Sequence, residues 1–365
     1  MEIGGLFWFN SNNFLIWRLV RGVPPILFFS TLENFSMKKT LIALAAVAVS
    51  SAAMAQVTVD GSIDTAIGKI ETSTNATGTV VKTDVGNQMV SGGMFGSRLR
   101  FGGAEDLGGG LKASFLLDHR FSSDTGVSTT PGFTGNSWVA VSGGFGTVTL
   151  GRSATAYAVA DDLAASSAAG DTNNFTPDAM PGAATSNSNQ NQIKYASPSF
   201  SGVSVAVSRG FDETVEAGSK DTNSFSLMYK TGPFSAAYGQ QSAGGGDITN
   251  ISAAYDLGVA SVSFGTSTLK QEVSGVKGNK TTGNTLGVTV PMGAISLSAA
   301  YGSNEVKTAA GVKVSDKSGI GLLATYSLSK RTTVYGGMLN QDETTVTGNV
   351  KTTDDRVLFG MRHVF

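Results

Sequence analysis

From Gln56 onward, apolar and polar residues alternate with a period of two in one run after another, and Gly, Pro, Asn or Asp separates the runs. The clearest unit is Gly96–Phe121 (GSRLRFGGAEDLGGGLKASFLLDHRF). Leu99 and Phe101 share one parity and Arg98 and Arg100 the other; Leu111, Ala113, Phe115 and Leu117 oppose Lys112, Ser114, Asp118 and Arg120. Successive side chains on a strand point to opposite faces, so each run has one greasy and one charged side. Glu105–Gly110 between them supplies residues that tolerate positive φ in a tight turn. The unit is an antiparallel hairpin, and its repetition to the end of the chain predicts a closed barrel whose greasy face meets lipid.

The same grammar recurs in Val57–Gly68, Asn136–Ser142, Thr147–Arg152, Asn191–Ala196, Val203–Arg209, Asn223–Lys230, Phe234–Gln241, Ile248–Tyr255, Val259–Leu269, Gly283–Val290, Ala294–Asn304, Gly319–Tyr326, Thr332–Asn340 and Arg356–Phe365. Short turns at Glu105, Gly143, Ser197, Thr231, Asp256, Pro291 and Leu328 alternate with longer polar loops near Glu71, Ser122, Ser153, Phe211, Ser242, Gln271, Glu305 and Asp342. Short turns on one rim and long loops on the other fit an outer-membrane barrel of about 16 strands. Pro198, Pro233 and Pro291 fall at turns, where no ladder bond is lost. In the last run Val357, Phe359, Met361, His363 and Phe365 share one parity, which suits an aromatic girdle. Ser153–Gln190 is unlike the rest, long, rich in Ala, Ser, Asn and Asp, with no sustained period. Unstructured segments of this length in a compact domain are usually functional.

Composition sharpens this. The 365 residues include 47 Gly and no Cys, so no disulfide framework exists. A mean hydropathy of +0.05 argues against several apolar helices of about 20 residues, whereas a barrel hides its membrane face in the average. Met37–Ala55 (MKKTLIALAAVAVSSAAMA) has the Lys pair, apolar run and Ala-x-Ala end of a secretory signal, predicting a mature barrel domain over 56–365. Residues 1–36 carry apolar pieces broken by Arg18, Arg21 and Pro24-Pro25, and read as an upstream extension from a misassigned start. Setting aside Arg18, Arg21, Lys38, Lys39, Glu2 and Glu33 leaves 22 basic and 25 acidic residues, a net charge of −3 with no basic excess to recommend nucleic acid.

Catalytic chemistry finds no support. The two histidines, His119 and His363, are far apart in the chain, Asp118 and His119 point to opposite faces, and no Ser has a nucleophile-elbow context. Two distant His without Cys make no structural zinc site, and no phosphate-binding or dinucleotide fingerprint follows a strand. No catalytic residue, metal ligand or cofactor is expected. What remains is charge of inward parity, which requires water in the lumen and hence a channel. Ser153–Gln190 is long enough to fold inward, and it carries Asp161, Asp162, Asp171 and Asp178. Acids there, opposite a basic wall of Arg98, Arg100, Lys112 and Arg152, would set a transverse field across the narrowest zone.

The leader, VTVDGSIDTAIG, the opening hairpin, SGGFGTVTLGRS, NQIKYASPSFSG and FGMRHVF together resemble the general trimeric porins of Gram-negative bacteria, in their β-proteobacterial branch. The resemblance spans residues 56–365. It implies a 16-stranded barrel, a homotrimer in the outer membrane, a third loop folded into the pore, and passive diffusion of small hydrophilic solutes and ions. Arg98 matches the Arg of the family's SRxGxKG block and Arg152 that of its LGRQ block. Departures fall at Gly102 in place of Lys, at Gly135 in place of an Arg, and at Ser153 in place of Gln. The alternatives are a substrate-specific channel, for which no sugar-slide run of aromatics is present, and a surface adhesin or structural barrel.

Overall fold

The computed structural model describes residues 56–365 except 77, 130, 166–173, 182–186, 214–220 and 274. The expected leader and upstream extension, and Asp171 of the expected acidic loop, lie outside the described residues.

Seventeen strands form one sheet. They are β1 (Gln56–Ala76), β2 (Thr79–Ser91), β3 (Arg98–Gly108), β4 (Leu111–Arg120), β5 (Asn136–Gly143), β6 (Gly146–Ala154), β7 (Ser188–Ala196), β8 (Val203–Gly210) and β9 (Thr222–Thr231), followed by β10 (Phe234–Ala243), β11 (Gly246–Asp256), β12 (Ser261–Val273), β13 (Val276–Met292), β14 (Ile295–Lys307), β15 (Lys313–Ser327), β16 (Thr332–Thr345) and β17 (Val350–Val364). Every pairing is antiparallel, and β17 closes on β1 from Ser62↔Val364 to Ala76↔Val350. Seventeen strands make sixteen staves because β2 and β3 share one edge of β1. Gln56–Ser62 pairs with β3, and Thr65–Ala76 pairs with β2. Between them residues 92–97 turn away from the ladder, and Phe95 and Met94 donate their amides to Asp64 Oδ2 at 2.8 and 3.3 Å. The closed 16-stave barrel is therefore reached with one stave built from two segments.

The loop pattern departs from expectation. The connections β10–β11, β12–β13 and β1–β2 are tight, so the regions near Glu71, Ser242 and Gln271 are strand and not loop. Those near Glu305 and Asp342 are likewise strand, ending in brief turns at 308–312 and 346–349. The Thr-rich runs there are polar on both faces and carry no period-two signal, yet β-branched residues pair well once the barrel beneath sets their register. Among the described strands, the long connections are 121–135, 155–187 and 211–221.

Closure sorts the faces as alternation requires. Phe264, Leu286, Tyr301 and Ile320 are register neighbours on β12 to β15, and each is roughly half exposed. Val357, Phe359 and Met361 continue the band on β17. A contiguous apolar belt of this extent is far beyond a soluble protein's surface patches and fits the hydrocarbon of a bilayer. The opposite face carries the small and charged residues. Its apolar cluster of Ala66, Met94, Phe175, Leu323, Tyr335 and Leu358 fills one sector of the interior beside the in-turned 92–97.

Candidate functional site

The described residues of the connection 155–187 pack against inward side chains of the wall. The connection opens with α1 (Ala158–Ala164), which packs across β9 to β13. Those strands receive it because their inward positions are small or hydroxylated. Tyr157 N donates to Ser224 Oγ at 2.6 Å, Ser252 Oγ donates to the Ala160 carbonyl at 2.8 Å, and Ser263 Oγ to that of Ala164 at 3.1 Å. Gly239 and Gly265 leave room for Ala160 and Ala164; a Cβ on Gly239 would stand 2.8 Å from the Ala160 Cβ. Further along, Phe175 lies fully buried against Tyr335, edge to face at 5.9 Å between centroids. Gly321 and Gly337 make its berth, since a Cβ on Gly337 would come within 2.7 Å of the ring. Asn174 Nδ2 donates to the carbonyls of Gly92 and Gly93, and its Oδ1 accepts from Arg356 Nη1 at 2.9 Å. Arg356 itself forks onto Asp354. The loop is thus held at both described ends by the interior wall.

The wall across from α1 is basic. Register sets Arg98 beside Arg120, and Arg100 beside Asp118, all of inward parity. Arg362 on β17 lies inward opposite Asp64. Around the ring the β2/β3 stave is second and β11 tenth of sixteen, so the arginine cluster and the helix face each other across the lumen. The members differ in how far their charge is compensated. Arg100 Nη2 pairs with Asp60 at 2.5 Å, and both are more than a third exposed. Arg120 Nε stands 3.9 Å from buried Asp118. The glycine at 135 has a cause here: a Cβ would meet Asp118 Oδ1 at 2.9 Å, so an arginine at that position would expel the carboxylate.

Other expected residues are dispersed. Lys112 faces inward but lies six residues along β4 from the Arg100 rank, roughly 20 Å toward the short-turn rim. Arg152 sits at a β-bulge after Gly151, where alternation no longer assigns a face, and its Nε donates to the Thr134 carbonyl at 2.5 Å. On α1, Asp161 is tucked against the wall and accepts from Asn187 Nδ2 at 2.6 Å; burial raises its pKa above the usual carboxylate value despite that bond. The same burial, with the Asp161 charge nearby, raises the Tyr157 phenol. Asp162 is exposed. Asp178 belongs to the far end of the loop, paired at 3.5 Å with Lys317, which also reaches Glu343 at 3.3 Å. Arg362, Asp64 and Tyr335 were not among the expected site residues, although alternation in the last strand (Arg356, Arg362 against Val357, Met361) carries the signal.

The chain matches the family model described as Gram-negative porin over residues 40–345. It is 33% identical to outer membrane porin protein 32 of Delftia acidovorans over 372 residues, covering 90% of this chain and 100% of that protein. It is 31% identical to the major outer membrane protein P.IB of Neisseria meningitidis over 205 residues, 56% of this chain and 59% of that one. Among solved structures, the anion-selective porin from Comamonas acidovorans superposes with a TM-score of 0.68 at 27% identity, covering 85% of this chain and all of that one. The outer-membrane-expressed OmpT of Vibrio cholerae (TM-score 0.62, 16% identity, 85% and 98% covered) shares the fold.

Proposed function

This chain belongs to the Gram-negative porins, outer-membrane barrels that act as passive diffusion channels, and from that premise we propose that Arg98, Arg120 and Arg362 form the basic side of its constriction, facing the loop helix. Membership in the family points to a channel and away from an enzyme. The observation that carries the reading is the set of guanidinium groups of inward parity on staves directly across the lumen from α1. Charges in a narrow, partly desolvated passage act with less screening than in open water, so they order ions by sign. Arg98 and Arg120 occupy one register rank, where like charges repel, and passing anions relieve that repulsion. We take Arg100 as largely offset by Asp60, and Lys112 as a mouth residue. Asp162 provides the loop's acidic side, with Asp161 held against the wall by Asn187 and Asp178 offset by Lys317. The passage then carries small hydrophilic solutes with a preference for anions. The Comamonas relative is named as anion-selective, which supports the same sign.

Reversal potentials in a salt gradient across planar bilayers test this. Arg98→Ala with Arg120→Ala is expected to move the potential toward the cation side; an unchanged potential removes the wall assignment. We further propose a homotrimer, since β2 has a strand partner on one edge only among the described residues, leaving an open segment of wall beside 121–135 for a neighbouring copy. Cross-linking in detergent that yields monomer alone would refute it. Residues 37–55 are proposed as the removed leader, with residues 1–36 upstream of the true start. N-terminal mass spectrometry of the exported protein, expected to begin at Gln56, checks both.

A further inference from the structure

One step from Arg100 toward the short-turn rim, the inward wall turns apolar. Register aligns Thr58, Gly102, Leu116, Trp138 and Gly151 across β1, β3, β4, β5 and β6. Asn136, two residues from Trp138, reaches Asp118 on the lumen side, and its neighbour Val139 is half exposed on the lipid side, so the indole faces the interior. The interior aromatics Tyr157, Phe175 and Tyr335 are buried where loop meets wall, whereas Trp138 is only partly buried. Glycines flank the Leu116–Trp138 pair and make it a flat ledge. At Gly151 a φ of +117° requires glycine, and a Cβ would strike the Ser137 carbonyl. Gly102 is under no such constraint: a Cβ there would lie 3.6 Å from Leu116 Cδ1 and Thr58 Oγ1, in ordinary contact. Glycine at 102, where the porin resemblance expects Lys, therefore relieves no clash and leaves the ledge open. Arg100 stands beside it, two residues or about 7 Å along β3. Its Nε and Nη2 both go to one oxygen, Asp60 Oδ1, at 2.6 and 2.5 Å, and its side chain is more than a third exposed. A closed arginine–carboxylate clamp joins two N–H groups to two oxygens, so this guanidinium can still donate to a second carboxylate.

We propose that Gly102, Leu116, Trp138 and Arg100 form a weak binding ledge for small aromatic carboxylates, with the ring on Leu116 and Trp138 and the carboxylate on Arg100. The inference rests on the diffusion-channel reading and deepens it by naming a solute class. A planar ring fits a flat apolar strip and stacks on the indole. A saturated ring of similar size gains burial alone, and an uncharged aromatic lacks the bonds to Arg100. An aromatic pair contributes about 1 kcal/mol beyond burial, so benzoate should bind about fivefold more tightly than cyclohexanecarboxylate.

The experiment titrates single-channel chloride current in planar bilayers with benzoate, cyclohexanecarboxylate and benzyl alcohol. Refolded wild type, Trp138→Leu, Trp138→Phe, Gly102→Leu and Arg100→Gln are compared, each scaled to its own current in chloride alone. In wild type, benzoate is expected to reduce the current saturably, at about one-fifth of the cyclohexanecarboxylate concentration, and benzyl alcohol should be weaker than benzoate. Trp138→Leu should erase the difference between the two carboxylates, and Trp138→Phe should keep most of it. Gly102→Leu, which covers the ledge, should weaken benzoate, and Arg100→Gln should bring benzoate down to benzyl alcohol. A merely structural Trp138 would change the response to both carboxylates alike. The proposal is overturned if wild type does not separate benzoate from cyclohexanecarboxylate or from benzyl alcohol, or if Trp138→Leu keeps the separation. Should Trp138→Leu fail to refold by heat-dependent gel mobility, Gly102→Leu decides, and an undiminished benzoate effect there overturns the ledge. A wild type that passes no chloride current would refute the channel reading itself, which is distinct from a conducting wild type indifferent to benzoate.

Discussion

Replacing Phe175 by Ala tests whether the interior loop is held by packing. The ring is fully buried, edge-on to Tyr335 at 5.9 Å, and seated on Gly321 and Gly337. Truncating a packed Phe costs about 3–5 kcal/mol, and water can enter a site beside a wet lumen, so the lower end, about 3 kcal/mol, is the better figure. At about 1.4 kcal/mol per tenfold, the ratio of docked to undocked loop falls on the order of 100-fold. Asn174, one residue away, still bonds Arg356 and the Gly92 and Gly93 carbonyls, so the loop should fluctuate and not leave. Single-channel recordings of Phe175→Ala are expected to show excess open-channel noise and dwell in altered conductance levels, and limited proteolysis should cut within 155–187 faster. Phe175→Leu, which keeps most of the apolar volume, should lie near wild type. Noise, conductance and protease resistance all unchanged in Phe175→Ala would refute the reasoning, because no other described side chain of this loop segment is as deeply seated in that sector.

Three further outcomes are expected. Gly265→Val should push α1 into the passage and lower conductance, since even a Cβ there lies 3.2 Å from the Ala164 Cα; wild-type conductance would show that the helix yields at no cost. Arg100→Ala should alter thermal stability by less than about 1 kcal/mol, as exposed ion pairs contribute little, and should shift the reversal potential less than Arg98→Ala does. Asp161 has a folded-state pKa raised by burial, so it favours folding fully only below the ordinary carboxylate value of about 4. That contribution is lost as pH rises through the raised value. Open-channel noise should therefore fall on acidification through this window in wild type, and Asp161→Asn should remove that dependence.

Alternation is a local property, and it carried a good deal. The strand identity of Val57–Gly68 and of the 96–121 hairpin, the lipid-facing Leu99, Phe101, Phe115 and Leu117, and the inward Arg98 and Arg100 all follow from period two and turn chemistry. Polar strands such as those around Asp342 and Gln271 were illegible, because with both faces wet no periodicity distinguishes strand from loop. What closure alone decided is which residues meet. Arg100 finds Asp60 40 positions earlier, and Asp178 finds Lys317 139 positions later, through register and ring order. The splitting of one stave between β2 and β3, the seating of Phe175 on glycines of β15 and β16, and the stacking of Arg362 on Phe95 are of the same kind. Each depends on distances between distant segments, which a closed sheet of fixed strand spacing imposes and a linear pattern does not encode.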